Sequence, residues 1–404
     1  MSIILKAIKF NHDPGSINND AITIRKNKTQ TISVPEWVDG ISTTADDSLA
    51  AYAITETSGN ILTIQARFQT LNEDASLFEI RAIDGSTNPR NPGGCIGWLI
   101  KLIQQILKAI FGNVLGEVQS QWVDFIVDDS GFVTFNLTGP RIWTAGVGIY
   151  FTEWQWQYRS SRKVPWQNMQ MSRHKIYVLV AGPKAPWNQT AGSDHLPWTD
   201  VLNYSCNWAR GAITKDQASI KITEQVYNLG NSLLQYDCPG DGDRHYATDF
   251  DTFDCTKFLE KLHGLYGNGE YVNCTDCATI VTTFANILGA ELWASRMELY
   301  FNLNPILAIG SSTWQTACKW GGFRYHEVAW KNNCDVNDEI FDACLKVDGD
   351  ADPRNAPHTP LLPANLKFGD CSTMDYRLRL CPPGASGCDT CQPVPATRVR
   401  RTVF

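Results

Sequence analysis

A chain of 404 residues, 43% apolar and 19% charged, is long enough for two or three domains with separate cores, and its composition excludes a disordered, collagen-like or low-complexity protein. The formal net charge of −7 argues against nucleic acid as the main partner, because phosphate binding is driven by clustered Lys and Arg, and only RVRR at residues 398–401 is locally basic. The opening residues, MSIILKAIKFNHDP, have a short apolar run and no small-residue cleavage site, so they do not read as a signal peptide and a cytoplasmic location is expected. On that expectation the 13 cysteines, twelve of them after residue 200, are read as mostly reduced.

From residue 3 to about 186 the chain is a series of short β-type segments separated by turn residues, among them ILKAIKF, ILTIQARF, LFEIRAI, VGIYFTEWQWQYR and HKIYVLVAG. Regular spacing with Ser-Gly and Asn-Asp turns predicts an antiparallel β-sandwich over residues 1–185, and WVDFIVDDSGFVTFNL reads as a hairpin within it. In EWQWQYR, Trp154, Trp156 and Tyr158 alternate with Gln155, Gln157 and Arg159, giving one aromatic and one polar face. The aromatic face is expected in the core, with a carbohydrate- or peptide-binding platform as the alternative.

One segment breaks the strand pattern. Residues 95–118, CIGWLIKLIQQILKAIFGNVLGEV, are apolar almost all round apart from a stripe of Lys101, Gln104, Gln105 and Lys108 at helical spacing. Two Lys and two Gln near its centre speak against a membrane-spanning helix. Two roles stay open: a helix that closes the sandwich or packs on a second domain, and an interfacial helix contacting a membrane or partner protein.

The stretch AGPKAPWNQTAGSDHLPW, residues 181–198, reads as a linker, so a boundary is expected near 185. Beyond it come helical patterns at 215–234 and 254–265, then YVNCTDCATIVTTFANILG at 271–289, then strand-like segments LWASRMELYF, ILAIG, FRYHEVAW, EIFDACLKV and YRLRL. Helices followed by an antiparallel sheet predict an α+β domain over 186–370. Residues 371–404 form a Cys- and Pro-rich tail whose last twenty residues are expected to be poorly ordered.

The chemistry concentrates around residues 271–289. Cys274 and Cys277 stand where a helix begins, and the unpaired N–H groups and dipole at such an end favour a thiolate. Nucleophilic catalysis by Cys also needs a base and a group to orient that base. If FRYHEVAW and EIFDACLKV pair as a hairpin centred near Cys334, His326 and Asp342 fall opposite each other on one face. An imidazole and a carboxylate are then in contact, with the second ring nitrogen free to face a thiol.

These residues resemble the transglutaminase-like superfamily of papain-type Cys-His-Asp enzymes over roughly residues 195–350. Cys274, Asp276, Ala278 and Gly289 fit the register of that family's motif: a Cys opening a helix, an acidic residue two later, a small residue four later and a closing Gly. His326 and Asp342 fit its second block. The resemblance implies a catalytic triad of Cys274, His326 and Asp342, a papain-like α+β fold and acyl transfer at an amide of a protein or peptide, without a cofactor or metal. It selects Cys274 over Cys277, which loses the acidic, small and Gly positions together. The chain departs from the family in HEVAW, where Trp330 stands four residues after the His instead of an aromatic two after it. Hydrolysis, as in a peptidase or amidase, is the expected outcome. Amine transfer, as in a transglutaminase, and a non-catalytic binding role for the sandwich and its helix are the alternatives.

Lesser signals carry bland expectations. Cys381, Cys388 and Cys391 suggest a metal site less than a Cys-rich loop, DGDAD at 348–352 reads as a turn, and residues 238–254 as a solvated loop near the active-site entrance. His195, His245 and His263 are assigned no partner.

Overall fold

The computed structural model describes residues 3–71, 77–85, 113–188, 190 and 192–404. It divides into two compact units, Met1–Gly182 with Gln189–Thr199 and Arg210–Ile213, and Pro183–Asn188 with Asp200–Ala209 and Thr214–Phe404. The chain passes between the units several times over residues 183–213, where a single linker was expected. Most of the apolar helix expected at 95–118 lies outside the described residues. Its last two residues instead begin a strand.

In the first unit the strands are β1 (Ile3–Lys9), β2 (Trp37–Val38), β3 (Leu49–Ala53), β4 (Thr63–Thr70), β5 (Leu77–Asp84), β6 (Glu117–Asp124), β7 (Asp129–Thr138), β8 (Gly148–Arg159) and β9 (Gln167–Leu179). They form one mixed nine-stranded sheet in the order β2-β1-β4-β7-β6-β5-β8-β9-β3. All neighbours are antiparallel except β3 and β9. The β6–β7 hairpin expected from the sequence is present, but its ladder is only two residue pairs long, Glu117 with Thr138 and Val118 with Leu137. Residues from both sides of that short ladder, including Ile8, Phe68 and Phe135 on one and Ile80, Trp156 and Ile176 on the other, share a single buried cluster. The sheet therefore curls around one core, which two-residue alternation along long strands such as β8 makes possible.

Trp154, Trp156 and Tyr158 are buried as expected. Burial of an indole requires a partner for its N–H, and Trp154 donates to the Gly116 carbonyl at 2.8 Å while Trp156 donates to Ser172 Oγ at 3.0 Å. Phe68, Phe135 and Trp156 meet edge to face.

The second unit contains helices α1 (Lys215–Asn228), α2 (Cys255–Leu262), α3 (Cys274–Asn286) and α4 (Tyr376–Leu380). Its strands are β10 (Gln235–Tyr236), β11 (Thr252–Phe253), β12 (Tyr271–Val272), β13 (Trp293–Asn302), β14 (Leu307–Ala308), β15 (Gly322–Trp330), β16 (Glu339–Phe341), β17 (Leu345–Asp348), β18 (Pro360–Leu361), β19 (Ala364–Lys367), β20 (Gln392–Val399) and β21 (Thr402–Val403). The central antiparallel sheet runs β19-β16-β15-β13-β20. Helix α3 packs on β15, β13 and α1 with all thirteen residues buried.

Three expectations are corrected here. YRLRL is not a strand but the short helix α4. EIFDACLKV is two strands, broken at 342–344 because the Asp342 N–H turns to the Pro363 carbonyl at 2.7 Å. The tail is ordered: β20 adds to the edge of β13, β21 pairs in parallel with β11, and a disulfide joins Cys371 to Cys388. A second disulfide joins Cys238 to Cys318, so four of the twelve described cysteines are paired and eight are free. Among the described residues no helix is long and apolar enough to cross a membrane.

Candidate active site

Helix α3 begins abruptly for a local reason. Asn273 is the N-cap; its side chain accepts from the Asp276 N–H at 3.0 Å, and Asp276 accepts from the Asn273 N–H at 3.2 Å, a reciprocal capping box. The other end closes at Gly289, whose φ of +89° suits a residue without Cβ. Cys274 is thus the first residue of the helix, at the positive end of its dipole.

Asp276 does more than cap. Its buried carboxylate also accepts the N–H groups of His245 at 2.9 Å, Tyr246 at 2.8 Å and Ala247 at 2.7 Å. Burial raises its pKa against the lowering effect of those four bonds. The expected solvated loop is consequently tied to the helix start, and its Asp241 and Gly242 line the cleft over Cys274. That cleft has a volume of about 480 Å³ and is otherwise mostly aromatic, with Tyr236, Tyr300, Trp320, Phe323 and Tyr325.

His326 is in the middle of β15 and completely buried. Its Nε2 lies 2.9 Å from Asp342 Oδ2. The hairpin that was expected to bring them together is shifted: Ala329 pairs with Phe341 and Trp330 with Ile340, which ends β16 before Asp342. Asp342 reaches the imidazole from the bend after the strand, where Cys344 N–H donates to Oδ1 at 2.8 Å and the Tyr376 hydroxyl donates to Oδ2 at 2.8 Å. Burial opposes a charge on His326, but the Asp342 carboxylate, followed by the Cys274 thiol, outweighs it and pushes the pKa up to about 10.

The other ring nitrogen, Nδ1, is buried with no hydrogen-bond partner among the described residues. No bond of ordinary length joins it to the Cys274 thiol, although that thiol lies near enough to favour the protonated ring. Contacts of this kind commonly tighten when substrate binds. The ring plane is fixed by Phe323, stacked on the imidazole at 5.1 Å and 12°. Phe323 thus packs the imidazole from three residues before it, where the resemblance had led to an aromatic two residues after.

Cys274 and Cys277 have different surroundings. Cys274 lines the cleft; Cys277 is absent from its lining and 1% exposed. A contact with the Cys344 thiol lowers the pKa of Cys277, but burial and the Asp276 and Asp342 carboxylates carry it upward, and burial holds Cys344 higher still. Both remain neutral thiols at ordinary pH.

Tyr376 and Phe323 went unassigned in the sequence. Tyr376 lies 34 residues beyond Asp342 in a stretch read as a strand, so only its aromaticity marked it. Asn273 carried a readable signal in the N-x-x-D spacing of a capping box. Among the described residues no group of three or more His, Cys, Asp and Glu is arranged to hold a metal, and Cys388 of the tail is in a disulfide. His245, assigned no partner, places Nε2 3.1 Å from Asp237 Oδ2.

No protein-family model matches the chain, and no curated protein matches it in sequence. Among solved structures it is similar to red sea bream transglutaminase, at 10% identity and a TM-score of 0.37, over 75% of this chain and 50% of the other. The chain spans half the length of that enzyme.

Proposed function

We propose that the second unit is a cysteine-dependent acyl-transfer enzyme acting on an amide bond of a protein or peptide, with Cys274 as nucleophile, His326 as acid and base, and Asp342 as the group that orients His326. The observation that supports this best is the buried imidazole, held by Asp342 on Nε2, unpaired on Nδ1, and neighboured by the one thiol of the CxxC pair that lines the cleft. In this reading the Cys274 sulfur attacks the amide carbonyl carbon while the helix N-terminus stabilises the charge that develops on oxygen. The C–N bond breaks, the His326 proton passes to the departing amine, and a thioester remains. Water then attacks the thioester, His326 takes its proton, and the C–S bond breaks to return the thiolate.

Hydrolysis is the outcome we favour, because nothing in the sequence specifies a site for an amine acceptor. A cytoplasmic setting remains part of this proposal; the two disulfides are the feature that opposes it. Site-resolved iodoacetamide labelling of the full chain tests the nucleophile. Cys274 should react faster than a thiol of the unfolded chain, and His326→Ala should abolish the excess. Equal rates, or no effect of His326→Ala, would remove the catalytic reading. A peptide library with and without a primary amine then distinguishes hydrolysis from amine transfer by product mass.

A further inference from the structure

The helix that carries Cys274 is braced by a buried charged network that the triad does not use. Glu327, next to His326 on β15, is 1% exposed. Its Oε2 accepts from Thr275 Oγ1 at 3.0 Å and from Arg296 Nε at 3.3 Å, and its Oε1 accepts from Arg401 Nη1 at 2.6 Å. Arg401 is equally buried and donates again, to Thr279 Oγ1 at 2.8 Å, while the Thr279 hydroxyl donates to the Thr275 carbonyl at 2.6 Å. Arg296 lies over the Tyr325 ring at 4.3 Å, and Tyr325 lines the cleft beside Cys274.

A buried ion pair is a poor device for stability alone, since apolar residues of the same volume commonly do as well or better. Glu327 is shared between two guanidiniums, and Arg296 is in turn paired with Glu298, whose Oε1 lies 3.7 Å from its Nη1, so the fully buried positive charge against α3 is that of Arg401. Two donors of Arg401, Nε and Nη2, have no partner among the described residues, so the guanidinium charge is only partly compensated there.

We propose that Arg401, acting through Glu327 and Thr275, is a positioning residue for Cys274, fixing the first turn of α3 against β15 and biasing the thiol toward its charged form. This rests on the reading of Cys274 as the nucleophile. The other titratable and charged groups that face Cys274 are His326, Tyr325 and Arg324 on β15, Arg296 and Tyr300 on β13, Tyr236 on β10, Cys277 on α3, Cys344 after β16, and Asp241 on the loop. Of these, Arg296 and Tyr325 interact with Glu327 and respond to Glu327→Gln, so Arg401→Met, which leaves Glu327 in place, is the more direct variant.

The test is the pH midpoint of Cys274 alkylation by iodoacetamide in the full chain, read site by site by mass spectrometry. Arg401→Met removes a positive charge and should raise the midpoint by about 0.5 to 1 pH unit, Glu327→Gln removes the negative charge and should lower it by a similar amount, and the double variant should return close to the parent value. Arg401→Lys keeps the charge and should hold the parent midpoint. Loss of packing alone does not give shifts of opposite sign, so shifts in the same direction, or none, overturn the proposal. Should Arg401→Met fail to fold, Glu327→Gln against the double variant makes the same comparison. If His326→Ala leaves the Cys274 profile unchanged, the catalytic reading has failed; if His326→Ala moves it and the network variants do not, only the network proposal falls.

Discussion

The buried His326–Asp342 pair makes stability depend on pH in a direction opposite to the usual acid lability of salt-bridged carboxylates. His326 titrates near 6.5 when unfolded and at about 10 when folded. Below 6.5 both states bind the proton and the full stabilisation is present. Between 6.5 and about 10 only the folded state binds it, so stability falls by about 1.4 kcal/mol per pH unit as pH rises. Across the whole window the loss is on the order of 5 kcal/mol, an upper figure because part of the shift comes from the Cys274 thiol and goes with it. The perturbation is His326→Gln, which removes the titration, with Asp342→Asn as a second variant that removes the strongest raising partner. Urea denaturation of all three proteins at half-unit steps from pH 6 to 10 gives the assay. The stability difference between the parent and His326→Gln should shrink steadily with rising pH, and Asp342→Asn should confine any slope to the acid end. If the parent and His326→Gln curves run parallel, the imidazole is not held protonated, and the account of its electrostatics is wrong.

Asp276→Asn should cost about 3 kcal/mol, because an amide oxygen cannot replace both carboxylate oxygens for four backbone donors. Hydrogen exchange at residues 245–247 should accelerate while β13 stays protected; uniform acceleration would refute a local tie. Replacing Cys238 and Cys318 together by Ser removes a bond that spans 80 residues and should cost about 4.5 kcal/mol, against about 3 kcal/mol for Cys371 and Cys388, which span 17. Denaturation midpoints in the same buffer rank the two, and the reverse order would show that chain entropy is not what these bonds supply.

What the sequence made legible is what short-range physics determines. The start of α3 could be read because two Cys in its first turn and apolar residues at 280, 281, 284, 287 and 288 lie together in one short stretch. The alternation of Trp154, Trp156 and Tyr158 marked a buried face for the same reason. His326 and Asp342 were an intermediate case. The two strands do pair, but two positions out of the expected register, and the contact survives because Asp342 leaves the ladder for the Pro363 carbonyl and is then clamped by Cys344 and Tyr376. A carboxylate at a strand end has freedom that a cross-strand position lacks.

The tail shows why the rest was hidden. QPVPATRV has the prolines of a loop, yet it forms the edge strand β20, where a missing N–H is tolerated if it faces away from the neighbour, and that neighbour is β13, about a hundred residues earlier. The run RVRR stood out in the sequence only as locally basic. In the structure Arg398 and Arg400 lie over the Trp293 ring, and Arg401 enters the interior to meet Glu327. Nothing within ten residues of Arg401 distinguishes it from its neighbours, since what sets it apart is a carboxylate 74 positions away and a threonine 122 positions away. The candidate nucleophile was therefore readable from its own helix, whereas the charge that braces that helix arises only when β15 and the link between β20 and β21 bring a glutamate and an arginine to the same buried point.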